Sequence, residues 1–456
     1  MIKIRFAAII LLSSLLMGCS SIMTNTEFYD PVIDYLRSGD YESSVKYIET
    51  AEKEGEYADK DRVLLFLDKG IVYHYAGMYE KSNEAFHEAE YLIDSLYTKS
   101  ISKGAASLLL NDNALDYSGE VYEDLYVNIF KALNYLQLGN FDDAYVEVHR
   151  ISDKLKEFNV YYKEAVAEIQ KYDETKIEFE AEEIDFYNDA FSDYISHLIY
   201  RADGEKDNSR ISLEKAREAW ANYPEVYDYE MPAPLEEAET DRVTTLNIFA
   251  FSGNAPVKVP VGARITTFDG WIMISDPTDF HVTPIPFPGI KNGWNFKFEF
   301  PELRELGTAI DNIEVYINGN NAGNLELLEN ISNVADKTFQ TRKSMIFFKT
   351  AMRAVAKGIS AGMAGEEIKK NTKDKALGDA LAFLFNAAVD MTEHADLRTW
   401  RTIPGYSFTA EIPIDEGIYN IEIRFVGVKG QILKTAKFEK FQIKNGLNVL
   451  EAFYLD

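Results

Sequence analysis

The stretch Tyr122–Ile151, YEDLYVNIFKALNYLQLGNFDDAYVEVHRI, constrains this chain more than any other. Apolar or small residues recur at Ile129, Ala132, Leu133, Tyr135 and Leu136, and again at Phe141, Ala144, Tyr145, Val148 and Ile151. Both runs have helical spacing, and Gly139-Asn140 between them supplies a turn. Ala132 and Ala144 are small where two helix backbones approach, and Phe141 is large where the turn needs filling. A single helical hairpin of this kind cannot bury its own apolar face, so it predicts stacked neighbours.

Those neighbours are present. The spacing recurs around Tyr35, Leu36, Gly39, Tyr41, Ser44, Ile48 and Ala51. It recurs again around Phe66, Gly70, Tyr73, Gly77, Tyr79, Ser82, Phe86 and Ala89. A fourth unit runs over 186–201 and 208–223, with Asp203-Gly204 between its helices and Pro224 at its end. The small-large pattern resembles the tetratricopeptide repeat. Residues 100–116 and the charged stretch 152–182 interrupt the period, and the latter reads as a solvated connecting helix.

After the acidic, proline-bearing stretch Tyr227–Asp241 the pattern changes to alternation. Strands are expected at 243–251, 271–275, 294–300, 312–317, 406–414, 418–426, 431–443 and 448–455. Short strands and hairpin turns predict an antiparallel β-sandwich. Within it, 344–391 reads as a helical hairpin with a stripe of small residues, Ala351, Ala354, Gly358, Ala361 and Gly365, and a basic edge at Lys349, Arg353 and Lys357. The expected class is α+β in two domains. Residues 29–226 form a tetratricopeptide-like solenoid, 227–241 a linker, and 242–456 a sandwich-like domain with the helical hairpin inserted.

The N-terminus has its own logic. Two positive charges in Met1–Arg5, a short apolar run over 6–17 and Leu16-Met17-Gly18-Cys19 suit a secretory signal over 1–18. The ending resembles the lipobox of bacterial lipoproteins, which implies lipidation of Cys19 and a membrane anchor followed by a short tether, 19–28. Ser20 after the cysteine favours an outer-membrane, periplasm-facing address. Cys19 is the only cysteine, so disulfides within the chain are excluded.

Charge narrows the class of partner. Residues 20–240 hold 49 acidic and 21 basic side chains, whereas 241–456 hold 26 and 24, so the acidity belongs to the helical half. Such a surface repels nucleic acid and suits a basic or amphipathic partner segment. On a concave repeat face Asp68, Tyr73, Glu123, Tyr126 and Asn128 are the residues expected to meet a protein or peptide partner of the envelope. The alternative is a ligand site in the β half, for cell-wall glycan or a small molecule. Trp271, His281, Trp294, Asp396, Arg398 and Trp400 would form it, although Asp396, Arg398 and Trp400 equally suit a helix cap and core filler. The six histidines show no metal-ligand spacing, no phosphate loop or nucleophile motif occurs, and neither catalysis, metal nor cofactor is expected.

From lipobox to C-terminus the chain resembles a family of uncharacterised bacterial lipoproteins with a tetratricopeptide-like front half. The residues that carry this are Tyr122-Glu123, Ala132–Leu136, Asn188–Tyr200 and Ala395–Trp400 ahead of Pro404. The resemblance implies an envelope location and no particular activity.

Overall fold

The computed structural model describes residues 26–108, 112–172, 186–236, 244–275, 282–286, 292–293, 295–340 and 394–456, with single positions between 342 and 353. The expected signal sequence, Cys19, His281, Trp294 and nearly all of the 344–391 hairpin lie outside the described residues.

Among the described residues eight α-helices fill the first half. They are α1 (Thr26–Ser38), α2 (Tyr41–Glu54), α3 (Arg62–Tyr75), α4 (Tyr79–Leu108), α5 (Val121–Gln137), α6 (Phe141–Tyr172), α7 (Ala190–Ala202) and α8 (Lys206–Asn222). They pack as consecutive pairs. One turn is used four times. Gly39, Gly77, Gly139 and Gly204 each take a positive φ between the helices of a pair. In each case the amide after the glycine donates to the carbonyl of a tyrosine five residues back: Tyr35, Tyr73, Tyr135 and Tyr200. The glycine amide closes an inner bond to the residue three before it. This pair of bonds satisfies carbonyls that a helix end otherwise leaves bare, and the left-handed position favours glycine. Ala132 and Ala144 are fully buried at the close contact of α5 with α6.

A short helix, α9 (Ala233–Glu236), precedes the strands. The stretch expected as a linker is packed as far as it is described: Tyr227 is buried and the Trp220 indole donates to the Tyr229 carbonyl at 3.0 Å.

The strands are β1 (Thr245–Ser252), β2 (Val257–Phe268), β3 (Trp271–Ser275), β4 (Val282–Pro286), β5 (Asn295–Arg304), β6 (Ile310–Ile317), β7 (Asn320–Asn330), β8 (Tyr406–Pro413), β9 (Gly417–Gly427), β10 (Ile432–Ile443) and β11 (Leu447–Tyr454). They form two sheets, ordered β10-β9-β6-β7-β8-β1-β11 and β4-β3-β2-β5. The fold is therefore α+β, but the expected antiparallel sandwich is corrected. The larger sheet is mixed, because β1 and β11 run parallel, and it curls until β10 and β11 touch, nearly closing a barrel. Between β7 and β8 lies α10, over residues 331–340, and the described positions from 342 to 353 are also helical.

β1 explains how the halves join. It is buried along its whole length. Leu246, Ile248 and Ala250 point into the barrel beside Ile313, Val315, Ile423 and Phe425. Phe249 and Phe251 point the other way, with ring centroids 5.4 Å from Phe191 and 5.6 Å from Phe130 of the helices. Strand alternation thus sends one set of side chains to each of two cores. The second of these cores is continuous from Phe28 in α1 to Leu455 after β11, so helices and sheet share it. In the smaller sheet Ile265, Ile274, Phe298 and Phe300 are buried, and Phe347 of the α10 segment packs on Phe298 and Phe300 at 5.6 and 5.1 Å. Among the described residues no helix is long and apolar enough to cross a membrane.

Candidate partner-binding groove

The residues expected on an open concave face are not open. Asp68, Glu123, Tyr126 and Asn128 are fully buried and Tyr73 nearly so. The chain's own sheet and its flanking loop cover Asp68, Glu123 and Tyr126, whereas Tyr73 and Asn128 meet neighbouring helices. Asp68 accepts hydrogen bonds from Tyr29, Tyr57 and Thr402, each at 2.7 Å. Burial pushes its carboxyl up to about 6, against the pull of those three hydroxyls. Glu123 accepts from the Tyr117 hydroxyl and the Trp400 amide, both at 2.7 Å, and closes a capping box with Glu120. Tyr126 donates to Glu329 of β7. Tyr73 donates to Glu49 at 2.8 Å. These side chains tie the structure together instead of receiving a partner.

The residues named for a β-domain ligand site are scattered. Trp271 is 45% exposed, paired with Phe268, itself 66% exposed, across the tip of the β2–β3 hairpin. Trp400 is buried far from that tip, 5.7 Å from Phe86 and 6.4 Å from Phe130. Arg398 binds Asp396 at 2.7 Å and Asp61 at 2.9 Å, and also donates to the carbonyls of Leu115 and Asp112. It joins the loop before β8 to the helical half.

Between α4, α5 and α6 lies a buried ionic cluster that the sequence reading missed. Lys131 contacts Glu90 and Glu147, each at 2.9 Å. Lys154 contacts Glu90 at 2.9 Å and Asp124 at 2.7 Å, and Arg150 reaches Glu90 at 3.0 Å. Asn128 donates to Glu90 and Glu147. Burial alone would raise the Glu90 carboxyl, but Lys154 and Lys131 hold it well below its usual range. The spacing of Glu147, Arg150 and Lys154 along one face of a helix was the available signal.

Outside this cluster a groove of about 530 Å³ opens to solvent. Glu80, Glu84 and His87 of α4 form one wall, and Asp143, Val146 and Arg150 of α6 the other. Tyr135 and Lys131 lie on its floor, with Leu138 at the end near the α5–α6 turn. That turn fixes the geometry: Asn140 caps α6 through the Asp143 amide at 3.3 Å and donates to the Asp143 carboxylate at 2.6 Å. Lys131, Glu147 and Arg150 are spent within the ionic cluster, which leaves Glu80, Glu84 and Asp143 as the rim charges. Leu138 and Val146 are exposed, at 40% and 47%, and supply an apolar seat. The arrangement can hold a cationic side chain beside an aliphatic one. Among the described residues there is no group of three or more His, Cys, Asp or Glu able to hold a metal ion.

No protein-family model matches this chain, and no curated protein matches its sequence.

Proposed function

We propose that the chain is a lipid-anchored protein of the cell envelope, without catalysis of its own, that binds a basic or amphipathic segment of a protein partner. The helix pairs act as tetratricopeptide-like repeats, and the binding surface is the groove across α4, α5 and α6. One observation carries this reading: the groove is open and acid-rimmed with two exposed aliphatic residues inside it, whereas the opposite repeat face is covered by the sheet.

The test uses the full chain with a photo-crosslinking residue at Val146. Partner crosslinks at that position should weaken in the double reversal Glu84→Lys, Asp143→Lys, and weaken in the wild type as salt rises. Rim charges act mainly through screened attraction, so each reversal should reduce capture severalfold at low salt. Crosslinking indifferent to both salt and the reversals would remove the groove from consideration.

The anchor is tested separately. Cys19→Ser should abolish incorporation of radiolabelled palmitate and release the chain from membranes. Continued labelling in that variant would show that the anchor has been misassigned.

A further inference from the structure

A second opening lies where α4, α6, the small sheet and the α10 segment meet. Its volume is about 170 Å³. A cavity near 150 Å³ holds one benzene ring, so this one has room for a monocyclic ligand. Leu96, Tyr97 and Tyr161 from the helical half and Ile346 from the α10 segment give it an apolar side.

Five cations also line it: Lys258, Arg342, Lys349, Arg353 and Arg398. Four of them face a carboxylate. Lys258 and Arg342 share Glu120, Arg398 holds Asp396 and Asp61, and Arg353 faces Asp112 at 4.0 Å. Lys349 is the exception, making no hydrogen bond or ion pair among the described residues. Burial pushes its ammonium below the usual range; Asp112 opposes this, and Arg342 and Arg353 add to it. An ammonium partly withdrawn from water, beside two guanidinium groups and with no direct ion pair, offers an anion a contact that no described side chain already makes.

We propose that this cleft binds a monocyclic organic acid, its carboxylate on Lys349 and its ring against Leu96, Tyr97 and Ile346. Its other cations already have direct carboxylate partners, and Lys349 alone makes no direct ion pair among the described residues, so one place is open to a carboxylate. A single open place fits a monoanion. A dianion such as a phosphate ester would leave surplus negative charge near Asp116 and Glu299, which also line the cleft. This site is separate from the acidic groove and does not depend on it.

The experiment is calorimetric titration of the purified full chain with benzoate, set against benzamide, which has the ring without the charge, and phenyl phosphate. Saturable one-site binding of benzoate is expected, with benzamide at least about tenfold weaker, as loss of a charged hydrogen bond implies. Lys349→Met should weaken benzoate by a similar factor while leaving the urea midpoint unchanged, and Lys349→Arg should retain binding. Leu96→Trp, which fills the cleft without altering its charge, should abolish binding and serves if Lys349→Met does not fold. The proposal is overturned by no saturable benzoate binding up to about 10 mM, by equal affinity for benzamide, or by undiminished binding in either Lys349→Met or Leu96→Trp. Tighter binding of phenyl phosphate than of benzoate would overturn the monoanion assignment.

Discussion

Arg398→Met is expected to lower the unfolding free energy by about 3–5 kcal/mol, the cost of leaving buried charges without their partner. Arg398 donates to Asp61 at 2.9 Å, to Asp396 at 2.7 Å, and to the carbonyls of Leu115 and Asp112 at 3.0 and 2.9 Å. Burial would raise the Asp396 carboxyl, but Arg398 holds it below its ordinary range, so removing the cation strands a buried carboxylate. Lysine is a poor substitute because it lacks the planar fork that reaches four acceptors at once, and Arg398→Lys should recover only part of the loss. Since these partners span both halves, urea unfolding should remain a single transition in the variant, displaced to lower urea. A midpoint shift equivalent to less than about 1 kcal/mol would contradict the assigned role.

The second large effect concerns pH. Glu329 is buried, accepts from Tyr126 and Tyr227, and sits beside Asp189 with no ion pair among the described residues. Burial first, and then Asp189, push its carboxyl well above the usual range. Burial likewise raises Asp68, Asp124 and Asp189 to about 6 and Asp193 to about 7. A carboxyl raised in the folded state costs stability in full above its folded pKa. It costs nothing below the unfolded value near 4. Each of the three aspartates at about 6 therefore releases about 3 kcal/mol as pH falls from roughly 6 to 4, and Asp193 about 4 kcal/mol from roughly 7 to 4, taking 1.36 kcal/mol per unit.

His197 acts oppositely. Burial lowers it to about 4, so below about 6.5 the unfolded chain takes up a proton that the folded chain refuses. The carboxyls outnumber it, and the urea midpoint at pH 5 should exceed that at pH 8. Below about pH 4 the trend reverses, because Glu90 and Asp396 are held below their usual range and lose their ion pairs when protonated. Glu329→Gln should raise stability at pH 8 and flatten the rise toward pH 5. A wild-type midpoint at pH 5 equal to or below that at pH 8 would refute this balance.

The helix pairs were legible because local rules make them. The small-large pattern and turn glycines are visible within a few residues, and the recurring Tyr-x-x-x-Gly at Tyr35, Tyr73, Tyr135 and Tyr200 is a sharper sign than the pattern that was read. β2, β4 and β7 escaped for an equally local reason. Pro260, Pro284, Pro286 and Gly323 break the alternation that identifies a strand. The edge place of β4 tolerates its prolines, and β2 pairs with β3 only from Arg264 onward, beyond Pro260.

The site was harder to read. Asp68, Glu123 and Tyr126 look like a polar helix face, and polar helix faces usually meet water. Their partners Thr402, Trp400 and Glu329 lie hundreds of positions away, and no spacing rule connects them. Burial of these polar groups follows from the tertiary fold alone. Arg398 was read both ways, as ligand contact and as structural tie, and its bonds to Asp61 and Asp396 support the second.

The place of β1 governs when this molecule can fold. Among the described residues it is the first strand made, yet its two neighbours are β8 and β11, the latter the last of those strands. Throughout synthesis of the intervening chain, Phe249 and Phe251 have no finished sheet to belong to. Phe130 and Phe191 on the helices have no lid. Pairings this distant in sequence form late, so the helical half spends its early life with aromatic surface uncovered. A chain cut short before Leu447 leaves β1 with an open edge and the shared core unsealed. Damage near the end is thus felt at the beginning, and an incomplete copy presents itself to proteases as unfolded.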